Sequence, residues 1–226
     1  CAVGEGLLAT PPRVEYMPQS TGLKTLTVYY YDDGVLHKLV GAMGNCQLSA
    51  KVEDRPYLTF DVVGVDGGIS AATDTGVFTP WKKPVAMTKA NVIDITLGCS
   101  YAAGVLSGGT AYPSTGIEMN FGNVVEFDAN LSAESVGISD RESTGSIELE
   151  LTAAQEVAMM ASVKANTTQG MGMTIGTVAG NKIILFKPAV QLLSPKKVDR
   201  KGKRLIGYDL RFMPQNGNDE WRIVTL

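Results

Sequence analysis

Between Asn123 and Thr152 the chain reads NVVEFDANLSAESVGISDRESTGSIELELT, and apolar and polar residues alternate strictly at both ends. Val125, Phe127, Ala129, Leu131 and Ala133 take the odd places, and Glu126, Asp128, Asn130, Ser132 and Glu134 the even ones. After a break, Ile147, Leu149 and Leu151 alternate with Ser146, Glu148 and Glu150. A period of two marks a strand with one buried and one wet face, because successive side chains leave opposite sides of the pleat. The two stretches are expected to form a hairpin with one apolar face and five carboxylates on the other.

The rest of the chain has the same character. LTVYYYDDGVLHKLVGAM is expected to be two strands turning at Asp33-Gly34, residues that tolerate the positive φ of a tight hairpin. CQLSAKVEDRPYLTFDVVGV adds a pair turning near Asp54-Arg55-Pro56. Further strands are expected at NVIDITLG, MTIGTV, KIILFKPAVQLLSPKKV, RLIGYDLRF and EWRIVTL. The 25 glycines among 226 residues exceed the usual share of about 7% and imply many tight turns, SGGTAYPSTG and GTVAGNK among them. DGGISAATDTGVFTPWKKP, from Asp66 to Pro84, has no apolar period and reads as a linker or long loop. One helix is expected in LTAAQEVAMMASVKAN, where Thr152 and Gln155 have capping-box spacing. Ala154, Val157, Ala158 and Ala161 are its expected sheet-packing face, with Met159-Met160 as apolar filler.

Little here can do chemistry. His37, the single histidine, lies in the strand VLHKLV and reads as a surface residue, so multi-histidine metal sites and histidine-based catalysis have no second member. Cys1, Cys46 and Cys99 are far apart and form no metal or redox pair, which favours a reducing compartment. The carboxylates of the alternating segment are spread at about 6.6 Å per two residues, a surface and not a calcium loop or glycosidase pair. No cofactor, metal or catalytic residue is expected, and no membrane span. The net charge of -3 argues against gripping nucleic acid through phosphates. The start at Cys1, without Met, suggests that an N-terminal portion is absent.

GNCQLSAKVEDRPYLTFDVVG resembles PAVQLLSPKKVDRKGKRLIGYDLRF about 145 residues later: Gln-Leu, then Ser, Lys, Val, Asp-Arg and a strand with Asp61 or Asp209. This predicts two related antiparallel units in tandem, mainly β, sandwich or barrel, with one flanking helix. Residues 1–65 would be the C-terminal part of an incomplete first unit, 66–86 the linker, and 87–226 the second unit.

Taken in order, TVYYYDDGVLHKLVGAMGN, RPYLTFDVVGV, IEMNFGNVVEF, ISDRESTGSIELEL, GTVAGNKIILFKPAVQLLSPKKVDRKG and the closing NGNDEWRIV resemble the tail tube proteins of long-tailed, non-contractile bacteriophages, of the duplicated kind. The resemblance implies β-sandwich subunits in trimeric pseudo-hexameric or hexameric rings, stacked into a tube for DNA passage. It implies self-association as the main partnership, with tape measure protein and transiting DNA in the lumen and tail-end proteins beyond. It implies a virion tail protein assembled in the host bacterial cytoplasm, with no enzymatic activity. Within it, Glu126, Asp128, Asn130, Ser132, Glu134, Ser146, Glu148 and Glu150 would line the lumen. Lys196, Lys197, Arg200, Lys201, Lys203 and Arg204, with Phe78 and Trp81, would make contacts between rings. A β-sandwich adhesin or binding module is the alternative, but Tyr29, Tyr30 and Tyr31 fall on both faces of one strand and make a poor aromatic platform.

Overall fold

The computed structural model describes residues 2–4, 12–74, 76, 77, 79, 85–178 and 180–226. The strands are β1 (Ala2–Gly4), β2 (Val14–Met17), β3 (Leu26–Asp32), β4 (Val35–Lys51), β5 (Tyr57–Ala71), β6 (Val92–Ala102), β7 (Val105–Tyr112) and β8 (Ser114–Asn120). They continue with β9 (Asn123–Ala129), β10 (Glu134–Arg141), β11 (Thr144–Leu149), β12 (Thr168–Ile175), β13 (Ile183–Arg200), β14 (Lys203–Met213) and β15 (Arg222–Thr225). One helix, α1 (Ala153–Lys164), lies between β11 and β12. The protein is mainly β, and every strand pairing is antiparallel.

Six strands in the order β5-β4-β8-β11-β14-β13 form the central sheet, and their register sorts the side chains into rows. Leu48, Met119, Gly145, Leu210 and Leu192 align across five strands on one face. Gln47, Asn120, Thr144, Arg211 and Gln191 align on the other. The apolar face meets a second layer in which β6 and β12 pair beside the first half of β13, so Ile117, Ile147 and Tyr208 share one core with Ile95, Leu97, Met171 and Met173. β13 serves both layers because it is long and kinked: Ser194 sits at φ +48°, within a register shift between Leu193 and Lys196. β15 joins β13 on one side and β2 on the other, which ties the N-terminal segment to the C-terminal one.

The expected capping box at Thr152 and Gln155 is formed. The helix presents a different face from the expected one, however. Ala154, Val157, Ala158 and Ala161 point to solvent, Val157 at 71% exposure, and Met159 enters the core. Because Met carries more apolar surface than Ala, burying the Met159 side gains more than burying an alanine stripe. Two loop expectations also change. β5 runs to Ala71, into the segment read as a linker, and SGGTAYPSTG is largely strand in β7 and β8. Gly109 explains the latter: at φ +78° a Cβ there would lie 2.6 Å from the Leu97 carbonyl oxygen, so the glycine permits close strand approach instead of a turn.

Two segments share a topology. β3-β4-β5 and β12-β13-β14 are both antiparallel triplets with the longest strand in the middle. Gln47 and Gln191 hold matching places, each followed by a leucine that pairs with a leucine of the next strand, Leu48 with Leu58 and Leu192 with Leu210. Asp54-Arg55 lies in the turn after β4, and Asp199-Arg200 ends β13 just before its turn.

Candidate assembly surfaces

The alternating stretches that open the sequence reading do not pair with each other. β9 pairs with β10, and β11 lies in the central sheet between β8 and β14. The return strand is Glu134–Arg141, whose Val136 and Ile138 sit opposite Phe127 and Val125. β8-β9 and β10-β11 are therefore one long hairpin broken in the middle. The break is fixed at Gly122, where φ is +72° and a Cβ would stand 1.8 Å from the Glu142 carbonyl oxygen. From there β9 and β10 leave the sheet as an arm.

The arm is fastened at its base. Asn45 Nδ2 donates to Asn120 Oδ1 at 2.7 Å, and Asn45 Oδ1 accepts from the Asn123 amide at 3.0 Å. Arg141 donates through Nε and Nη2 to Glu220 Oε1 at 3.3 and 2.9 Å, and through Nη1 to the Gln19 carbonyl at 3.2 Å. Both members of the Arg141–Glu220 pair are largely buried. Along the arm Val125, Val136 and Ile138 are half-buried, but toward the tip Phe127 is 48% exposed and Leu131 is fully exposed.

These positions redistribute the expected acidic surface. Glu126 and Asp128 share one face of the arm, opposite Gly137 and Ser135. Glu134 stands opposite Ala129, hence on the Phe127 side and not with the other carboxylates. Asn130 and Ser132 belong to the turn, where Asn130 Oδ1 accepts from the Ser132 and Ala133 amides. Ser146 and Glu148 lie in the central sheet, on its polar face, and Glu150 follows β11 beside Lys203 at 3.5 Å.

The polar face of the central sheet contains carboxylates outside the expected acidic hairpin. Glu118 and Asp209 flank Ser146 on the two neighbouring strands, and Asp61 is opposite Asn45 on β5. Cations pair with two of them. Lys51 Nζ lies 2.5 Å from Glu118, which holds the ammonium above its ordinary pKa, and Lys196 Nζ lies 3.2 Å from Asp209. Thr115 donates to Glu148 at 3.0 Å. A hollow of about 230 Å³ on this face is lined by Lys51, Thr115, Glu118, Ser146, Glu148 and Arg200, among others.

The basic tip of β13-β14 is largely paired as well. Besides Lys196, Arg200 and Lys201 are each 4.0 Å from Glu53, and Arg204 pairs with Glu156 of α1. Lys197 is exposed at the β13 edge. Phe78 and Trp81 lie outside the described residues. His37 is exposed on β4, 6.1 Å from the Tyr30 ring. Among the described residues no cluster of three metal-binding side chains occurs, and no helix is long and apolar enough to cross a membrane.

Among the described residues the central sheet ends in two unpaired edges: there β5 pairs only with β4, and β13 pairs only with β14 beyond Gln191. Open strand edges present unpaired amides and carbonyls that attract further strands. The fold thus defines a mainly antiparallel β protein with, among the described residues, open sheet edges and one polar sheet face. Family-level comparison matches residues 3–214 to the phage tail tube proteins, and the chain belongs to that family of structural virion tail components. No curated protein matches the chain.

Proposed function

We propose that this chain is the ring subunit of a phage tail tube, and that the polar face of its central sheet lines the channel through which DNA passes. The observation that carries the reading is the pair of open edges. β5 and β13 end the same sheet, and five successive antiparallel pairings set them in opposite directions, so β5 of one copy can continue antiparallel into β13 of the next. A heterologous contact of this kind generates a closed ring when the rotation closes. If β3-β4-β5 and β12-β13-β14 descend from one duplicated unit, three chains give a ring with pseudo-sixfold symmetry.

The lumen then carries Asp61, Glu118, Ser146, Glu148 and Asp209. Its cations are engaged by carboxylates, so a passing phosphate meets no free ammonium to hold it, and the remaining negative charge keeps DNA from adhering. Tape measure protein occupies the same channel before DNA does, and tail-end proteins cap the stack. The arm, with Glu126, Asp128, Glu134 and exposed Phe127, and the β13-β14 tip reach toward the adjacent ring, each ring being added in the host cytoplasm. Hydrogen exchange on free and assembled protein tests the edge contacts. Amides of 57–63 and 192–200 should become strongly protected on assembly, and unchanged exchange there would exclude edge-to-edge closure.

A further inference from the structure

The closing motif NGNDE lies between β14 and β15, in an irregular loop apart from the sheet face assigned to the channel. Asp219 shapes this loop. Its carboxylate accepts from the Gln215 amide at 2.8 Å and from the Asn216 amide at 3.1 Å, while Gly217 and Asn218 turn the chain at φ +81° and +53°. Of the nine asparagines in the chain only Asn216 precedes a glycine. Asn216 is exposed, and its Nδ2 donates to Asp219 Oδ2 over a long 3.4 Å. A side chain on the following residue crowds the backbone nitrogen between the two, and Gly217 has none; even a Cβ there would meet nothing within 4 Å. The contrast with other asparagines is steric and conformational. The amides after Asn120, Asn166 and Asn181 belong to Phe121, Thr167 and Lys182, and they are held on the Cys46, Ser162 and Leu226 carbonyls.

We propose that Asn216-Gly217 modifies itself, and that the product loosens the arm. The Gly217 nitrogen, having given its proton to solvent, attacks Asn216 Cγ. The N–Cγ bond forms, the Cγ–Nδ2 bond breaks, and Nδ2 takes a proton from solvent and leaves as ammonia. The cyclic imide that remains adds one water. Opening at the side-chain carbonyl gives aspartate, and opening at the main-chain carbonyl gives isoaspartate, in which the chain runs through the former side chain. No electron is transferred, and water is the only co-reactant.

The loop is one wall of the arm's attachment. Asn218 Oδ1 accepts from Arg141 Nη2 at 3.0 Å and also from Ser20, and Glu220 Oε1 holds the same guanidinium at 2.9 Å. Both acceptors are placed by the turn that Asp219 anchors. A carboxylate at 216 stands beside the Asp219 carboxylate and repels it. Isoaspartate also inserts a methylene into the main chain, so Asn218 loses its position on Arg141, the residue that ties β10 to the body. The proposal rests on this attachment within one subunit and not on ring closure.

The test incubates the unassembled protein at mildly alkaline pH beside a free peptide of residues 213–220, until the peptide has reacted. Peptide mass spectrometry should show a carboxyl in place of the Asn216 carboxamide, with isoaspartate among the products, while the other eight asparagines keep theirs. Asp33-Gly34 and Asp66-Gly67 can form the same imide but gain no mass, so they are not confused with it. The modified protein is separated by its extra negative charge. Its hydrogen exchange across 134–141 should be about tenfold faster, the equivalent of losing one hydrogen bond to a charged group, with 92–97 unchanged. Asn216→Gln, whose longer side chain disfavours the ring, should show neither change. Retention of the Asn216 carboxamide in the protein overturns the proposal. So do modification with unchanged exchange in 134–141, and a rise there that Asn216→Gln does not prevent.

Discussion

Lys187 offers the sharpest test of how the two layers pack. It lies on β13 at 1% exposure, with Nζ 5.5 Å from the centre of the Phe212 ring and the buried Cys99 thiol as its nearby titrating group. Burial in these apolar surroundings pulls its pKa from 10.5 down to about 7. In the unfolded chain the ammonium titrates near its ordinary value. Between pH 7 and 10.5 the unfolded state therefore holds a proton that the folded state has released, and stability rises with pH. At about 1.36 kcal/mol per unit, the native state of the unassembled subunit should gain about 2 kcal/mol between pH 7 and 9. The window stops at 9 because burial also raises Cys99 and Cys46, which reverses the sign once thiols ionise in the unfolded chain. Lys187→Met keeps the length and apolar stem while removing the charge. It should flatten the pH 7 to 9 slope and stabilise the subunit near pH 7 by up to about 4 kcal/mol. Urea denaturation at several pH values measures both effects. Equal slopes in wild type and variant, or a less stable variant at pH 7, would show that Lys187 reaches water or a counter-charge and that the layers are looser there than described.

Gly116→Ala should cost more than about 2 kcal/mol in chemical denaturation, because φ is +121° and the new Cβ would lie 2.1 Å from the Ala50 carbonyl oxygen, at the β4-β8 junction. Arg141→Ala should leave Glu220 without its cation in a largely buried site, at a cost of about 3 kcal/mol, and hydrogen exchange should rise through 134–141 as the arm loosens. Replacing Glu118, Glu148 and Asp209 together with Lys should leave rings able to form, while tails carrying them eject DNA slowly; normal ejection would place that face outside the channel.

Strand content, the Asp33-Gly34 turn and the capped helix were legible because they depend on local rules: Asp33-Gly34 can adopt positive φ, and Thr152 can reach Gln155. The pairing of β9 was not. Glu134–Arg141 has only two apolar residues, Val136 and Ile138, among small and polar ones, so it reads as a turn, and only register shows that Val136 faces Phe127. Charge had the same limit. Glu148 could be assigned to a polar face from its period, but Glu118 and Asp209 come beside it through strands that are distant in sequence, and their cations come with them. The helix face was misjudged because the alanine stripe is periodic, whereas burial follows the bulk of Met159. Phe60 and Leu58 have an ordinary strand pattern, and nothing in the sequence marks them as exposed.

The most direct measurement is a cryo-electron microscopy map of the assembled protein at a resolution that traces strands. The account predicts rings in which β5 of each subunit meets the β13 side of the next to continue one sheet around a central channel, with Glu118, Glu148 and Asp209 pointing into that channel and the arm at the ring's stacking surface. A map that places these three carboxylates on the outer surface, with α1 or Met159 nearer the axis, would contradict it.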